Sequence, residues 1–402
     1  MKNIATLDRQ RPSPERVIFC KRCVISNQRP RITFDDEGVC SACRYAEMKK
    51  EQIDWTAREK QLLKLLERHR STDGSYDCIV PSSGGKDSAR VAHELKHKYG
   101  MHPLTITWAP FIYTDIGWKN YLAFKDSGFD NLLFFPDGKI HRKLSRIAFE
   151  YVGDNFLPFI YGQKAYAFHI AVSQKIPLIF FGESGEVEYG GSLKNVEKSH
   201  ESVEDWEELY FKGAGLDSLI EKGVETGVIT QAEAKNNSLK FYRPPPLDEI
   251  AACGAEMHWF SFYRKWVPQE NYYYAIENTG FEANKGRSEG TYSKYASLDD
   301  KTDGFHYYMA FIKFGIGRAT SDAAHEIRDG HITREEAVSL VSKYDGEFPV
   351  KQFPQFLDYI GITEERFWEV VDFYRQRTVG IWENMDEGWV LCHNVAGTGT
   401  RD

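Results

Sequence analysis

The run CIVPSSGGKDSARVAHEL, residues 78 to 95, decides the fold. Three apolar residues, Cys78, Ile79 and Val80, give way to the loop Ser82-Ser83-Gly84-Gly85-Lys86-Asp87-Ser88. Val91, Ala92 and Leu95 then recur at helical spacing, so the segment predicts strand, glycine turn and helix. Such a turn presents free backbone N–H groups at a helix N-terminus, where the dipole favours an anion. Glycine lets the main chain approach that anion, and Lys86 adds a full positive charge. The loop is expected to hold phosphate.

Outward from it, PLTITWAP (103–110), NLLFFPD (131–137) and PLIFFGE (177–183) are further short apolar runs, each separated by enough chain for a helix. Buried strands alternating with helices predict an α/β fold with a parallel sheet covered on both faces. Ligands of such sheets sit at the carboxyl ends of the strands, and Glu183 directly follows one of them. The chain divides on this pattern into 1–50, 51–75, 76–240 and 241–402. Residues 1–19 read as a polar, poorly ordered leader. In QIDWTAREKQLLKLLERHR (52–70), Leu62, Leu63, Leu65 and Leu66 supply the apolar face of a connecting helix. After residue 200 the alternation stops. Residues 201–223 and 333–346 have helical patterns, 241–249 is a proline-stiffened connector, and the aromatic-rich stretch 257–275 fits no period. A mainly helical C-terminal region is expected to close over the sheet edge.

The formal charge of −8, from 51 basic and 59 acidic residues, argues against a general nucleic-acid binder. No apolar run reaches the roughly 18 residues of a spanning helix. The opening MKNIATLDRQRPSPER has no secretory core, and a cytoplasmic location is expected. The seven cysteines are unevenly placed. Cys20, Cys23, Cys40 and Cys43 form two C-x2-C pairs, a spacing that suits one tetrahedral, structural zinc. Cys78 reads as core; Cys253 and Cys392 carry no assigned chemistry.

The loop is neither G-x4-G-K-[ST] nor G-x-G-x-x-G. Its order Ser-Gly-Gly-Lys-Asp-Ser resembles the pyrophosphate loop (PP-loop) of the ATP pyrophosphatase superfamily. Together with the cysteine segment 20–47, IDWTARE (53–59) and the stretch 307–349, it resembles the bacterial N-acetyl sugar amidotransferases, which make acetamidino sugars for O-antigens and flagellar glycans. The resemblance implies an AMP-forming enzyme. ATP adenylates the carbonyl oxygen of an acetamido group on a nucleotide-linked sugar, and ammonia displaces AMP. It further implies that Ser83, Gly84, Gly85, Lys86 and Ser88 bind the phosphates of ATP, with Asp87 helping to hold Mg²⁺. Glu183 and Glu186 are candidates for Mg²⁺ or for the cationic product. Lys313 and Arg318 are candidate phosphate clamps across the cleft, and Arg287 and Lys294, with Lys285, are candidates for the anionic substrate. His306 is a candidate proton carrier.

A glutaminase needs a cysteine nucleophile at a processed N-terminus or in a G-x-C-x-G elbow. Residue 2 is lysine, and Cys253 in AACGAEMH lacks the first glycine. A separate glutaminase, with a barrel subunit of the histidine-biosynthesis type, is the partner the family implies. The competing reading is a tRNA thiolation enzyme with the same ATP loop. Such enzymes carry further cysteines and a basic RNA surface; this catalytic region has no C-x2-C and the chain is acidic.

Overall fold

The structure, a computed structural model, describes residues 6–10, 14–203, 206, 214–378, 380–386 and 388–397. At its centre is a six-stranded sheet. The four apolar runs form β1 (Cys78–Pro81), β2 (Pro103–Trp108), β3 (Asn131–Phe134) and β4 (Leu178–Phe181). Two short strands follow, β5 (His200–Glu201) and β6 (Glu256–Trp259), and the spatial order is β3-β2-β1-β4-β6-β5. All pairs are parallel except β5 with β6. β6 overlaps the start of the stretch 257–275 and extends the sheet past residue 240. Its sequence, Glu-Met-His-Trp, alternates polar with apolar residues and so does not form the continuous apolar run that announced the other strands.

Both faces of the sheet are covered. The Gly138–Val152 and Leu157–Gln174 helices pack Ile147, Leu157 and Ala165 against Ile79, Ile106 and Ile179. On the other face Val91, Ala92 and Leu95 meet Val80, Leu178 and Phe180. The Trp55–His69 helix, capped by the Asp54 carboxylate, buries Leu62, Leu65 and Leu66. Leu63, also expected in that apolar face, is 49% exposed because it falls on the outer side of the turn.

Beyond β6 the chain is mainly helical, ending in a hairpin of Trp382–Met385 with Gly388–Leu391. The Asp303–Phe314 helix and its neighbours share an aromatic core around Phe305, Phe356 and Phe367. Of the helix expected over 201–223, the part at 204, 205 and 207–213 lies outside the described residues, and Leu216–Glu225 is helical.

The leader is held more firmly than its polarity suggests. Leu7 N–H donates to Tyr151 O at 2.7 Å. Asp8, 5% exposed, meets Lys313 at 2.8 Å and Arg377 at 3.3 Å. Nor is the cysteine segment a detached module. Its cysteines, Val24 and Ile25 pack with Ile316, Ala323, Ala324 and Val341. No helix among the described residues is long and apolar enough to cross a membrane.

Candidate active site

β1 lies between β2 and β4, so the chain leaves it toward one side of the sheet while β4 begins the other. That reversal opens a crevice at the strand ends. Gly84 makes the turn possible: its φ is +83°, and a Cβ there would sit 2.7 Å from the Tyr121 Cα. Gly85 caps the Lys86–His93 helix. The resulting cleft, ≈ 280 Å³, is walled by Ser83, Gly84, Gly85, Lys86 and Asp87 on one side. Glu183, Tyr189, Arg318, Asp322 and His325 face them.

Lys86 Nζ contacts the Asp87 carboxylate. Asp87 Oδ1 also accepts from Asn271 Nδ2 at 2.7 Å, and Asn271 Oδ1 accepts from Arg90 at 2.6 Å. Asn271, fully buried, thus fixes the aspartate's orientation. Glu183 accepts from the Tyr189 hydroxyl at 3.1 Å. Burial, reinforced by the charges of Asp87 and Glu188, pushes its carboxyl up to about 7. Two acids that repel each other beside a lysine suit a divalent cation bridged to phosphate. Arg318 pairs with Asp322 at 3.0 Å and lies 4.3 Å from the Tyr307 ring centroid. Behind it His325 is buried edge-on to Tyr189, and burial with nearby Arg328 holds its imidazole well below the usual range.

The other expected residues are placed differently. Ser88 turns inward, accepting from Ser82 Oγ at 3.0 Å and donating to Gly85 O at 3.2 Å. Lys313 does not join Arg318: it is 2% exposed and held by Asp8 and by Val152 O at 2.9 Å. The chain reverses at Gly315, φ +65°, which sends the two cations to different environments. Arg287 forms a bidentate pair with Glu347 at 2.6 and 2.8 Å, and Lys285 and Lys294 are exposed; none of the three lines the cleft. Glu186 lines an adjoining cavity, where it accepts from Arg31 and from Ser192 N–H. His306 lines that cavity too, with Nδ1 2.7 Å from the buried Asp154.

The loop Ser297–Asp300 separates the cleft from a third cavity of ≈ 160 Å³, lined by Trp108, Phe156, Phe159 and Tyr166. Ser83, Ser297 and Asp299 line both. Ser297 has φ +54°, a strained value that the packing around it maintains. Asp299 is hydrogen-bonded to Ser83, and burial raises its carboxyl above the usual range. Asn271, Asp299, Tyr189 and His325 carry no sequence signal, because each is a lone polar residue in its own segment.

The four cysteines converge. Their sulfurs lie within 4.8 Å of one another, all buried, with Cys20 to Cys43 at 3.8 Å and Cys23 to Cys40 at 3.7 Å. Metal–sulfur bonds of ~2.3 Å at tetrahedral angles require sulfurs ~3.8 Å apart. The cluster therefore fits a closed four-thiolate site for a metal such as zinc.

Comparison with known proteins meets this geometry at its C-terminal wall. Residues 289–395 match the family described as "LPS biosynthesis protein WbpG-like, C-terminal domain". That segment supplies Ser297, Asp299, Tyr307, Arg318, Asp322 and His325. The chain is also 28% identical over 88 residues to an uncharacterized protein of Methanocaldococcus jannaschii; the match covers 22% of this chain and 31% of that protein.

Proposed function

We propose that this protein is an ATP-dependent, AMP-forming amidotransferase of the PP-loop superfamily, acting in the cytoplasm. It converts an acetamido group of a nucleotide-linked sugar to an acetamidino group for a bacterial surface polysaccharide. One observation carries the reading: the Ser83–Asp87 loop at the end of β1 faces Glu183 and Arg318 across one cleft, and Arg318 comes from the segment similar to a lipopolysaccharide-biosynthesis domain.

In this reading the nucleoside occupies the aromatic cavity and the outer phosphates lie on Ser83, Gly84, Gly85 and Lys86. Asp87 and Glu183 would hold Mg²⁺, whose charge would offset that of the departing pyrophosphate. The amide oxygen of the sugar attacks the α-phosphorus, the α–β bond breaks, and an O-adenylyl imidate forms. Ammonia adds to its carbon and AMP leaves with the oxygen. An amide oxygen is otherwise a very poor leaving group, so activation precedes displacement. Arg318 stabilises the negative charge from the far wall. Ammonia comes from a separate glutaminase with a barrel subunit.

Incubation with ATP, Mg²⁺, ammonium and a panel of UDP-acetamido sugars tests this. AMP, pyrophosphate and a sugar mass change of about −1 Da, O replaced by NH, are expected. Formation of ADP and orthophosphate, or sulfur transfer to tRNA, would refute it.

A further inference from the structure

Next to the cleft is a larger cavity of ≈ 430 Å³ that shares Tyr189, Tyr307, Arg318 and Asp322 with it. Its outer wall is the turn Arg29-Pro30-Arg31 of the cysteine segment; its inner wall is the Asp303–Phe314 helix. The charges lining it do not balance. Arg31 is bound to Glu186 at 2.8 and 3.2 Å, and Arg318 to Asp322 at 3.0 Å. Arg29 is different: among the described residues its guanidinium makes no hydrogen bond or ion pair, and its one side-chain partner is the Tyr189 ring, 5.2 Å to the centroid. Burial lowers its pKa, and Arg328 adds to that, while Tyr189, Tyr307 and the charge of Glu186 favour the cation. A partly exposed guanidinium that opens into a cavity and has no carboxylate hydrogen-bonded to it is free to take an anion there.

The backbone also holds this turn in an uncommon shape. Arg31 has φ +68°, a left-handed value that β-carbon residues rarely adopt and that clusters at ligand sites. Ser26 O accepts from Arg29 N–H at 3.3 Å, and Ser26 Oγ donates to Gln28 at 3.0 Å, so the turn is tied to the cysteine fold. A guanidinium fork takes two oxygens of a phosphate or carboxylate.

We infer that this second cavity is the acceptor site and that Arg29, presented by the cysteine-bound segment, takes the anionic group of the acceptor. The assignment rests on the proposed reading of the first cleft as the nucleotide site, since Arg318 then lies between the two substrates. The anion is either the diphosphate of a nucleotide sugar or a carboxylate on its ring. The cysteine cluster thereby acquires a binding role in addition to folding its own segment.

Isothermal titration of the full-length protein with UDP-N-acetylglucosamine and with its uronic acid separates the sources. Arg29→Ala is expected to weaken binding about tenfold or more, as loss of a charge-assisted hydrogen bond does, and Arg29→Lys to restore part of it. Equal losses for both sugars identify the diphosphate; a loss confined to the uronic acid identifies the carboxylate. ATP affinity and melting temperature should change little in Arg29→Ala, because among the described residues the side chain makes no hydrogen bond or ion pair and only stacks on Tyr189. Equal sugar binding by wild type and Arg29→Ala, or no sugar binding by the wild type at millimolar concentration, would overturn the inference. Failure of ATP to bind the wild type would instead overturn the reading of the first cleft alone.

Discussion

Glu183 sits where burial, Asp87 and Glu188 all resist its ionisation, so it contributes directly to the protein's pH response. Its carboxyl is raised from 4.5 to about 7 on folding. The protonated form is therefore favoured in the fold, and the associated stability is complete below the unfolded value and lost as pH rises through about 7. Melting curves of the protein without Mg²⁺ or nucleotide should show wild type losing more stability than Glu183→Gln between about pH 5 and 8. Identical pH slopes would mean that the carboxyl is not perturbed. The same site predicts that Lys86→Ala lowers AMP formation by about a hundredfold or more with unchanged circular dichroism. AMP production near the wild-type rate would remove Lys86 from the chemistry.

The glycine turn and the cysteine pairs make opposite demands on the chain. At Gly84 the backbone is left-handed and a Cβ would strike the Asp115–Asp126 helix. Gly84→Ala should cost about 1–3 kcal/mol and abolish nucleotide binding, whereas Gly85→Ala, which meets only Ser83 Oγ at 3.5 Å, should fold normally. Chemical denaturation of the two variants checks the contrast, and equal losses would show that the turn is not constrained as described. Cys20→Ser, or a chelator, should release metal and lower the melting temperature, because four buried thiols would lose their common partner; elemental analysis beside calorimetry reads both. These elements were legible in sequence because each is local: two C-x2-C pairs, one strand-loop-helix run, three further apolar strands. β6 was hidden because Glu256 and His258 interrupt its apolar residues. The partners of Asp87 and Ser83 were hidden because Asn271 and Asp299 lie some 200 positions away. Lys313 and Arg318 look alike in a linear reading; only the chain reversal at Gly315 separates a buried anchor from a cleft cation.

At the scale of the molecule, the cleft is assembled from distant parts of the chain: the loop after β1, the acid after β4 and the helices beyond residue 300. Such a site depends on the packing of the cysteine segment against Ile316 and Ala323, and metal loss should reduce turnover as well as stability. No glutaminase nucleophile is recognised in the sequence, so turnover is expected with ammonium and not with glutamine. Comparable rates from the two nitrogen sources in the purified protein would contradict the proposed partner. The Asp8 contact has a practical side. Lys313 is an ammonium sealed in the interior whose carboxylate comes from ten residues that look dispensable. Trimming the expression clone past that point would remove a carboxylate that neutralises this buried cation, at a cost of about 3–5 kcal/mol, and a tag fused there needs a spacer long enough to leave the clasp closed.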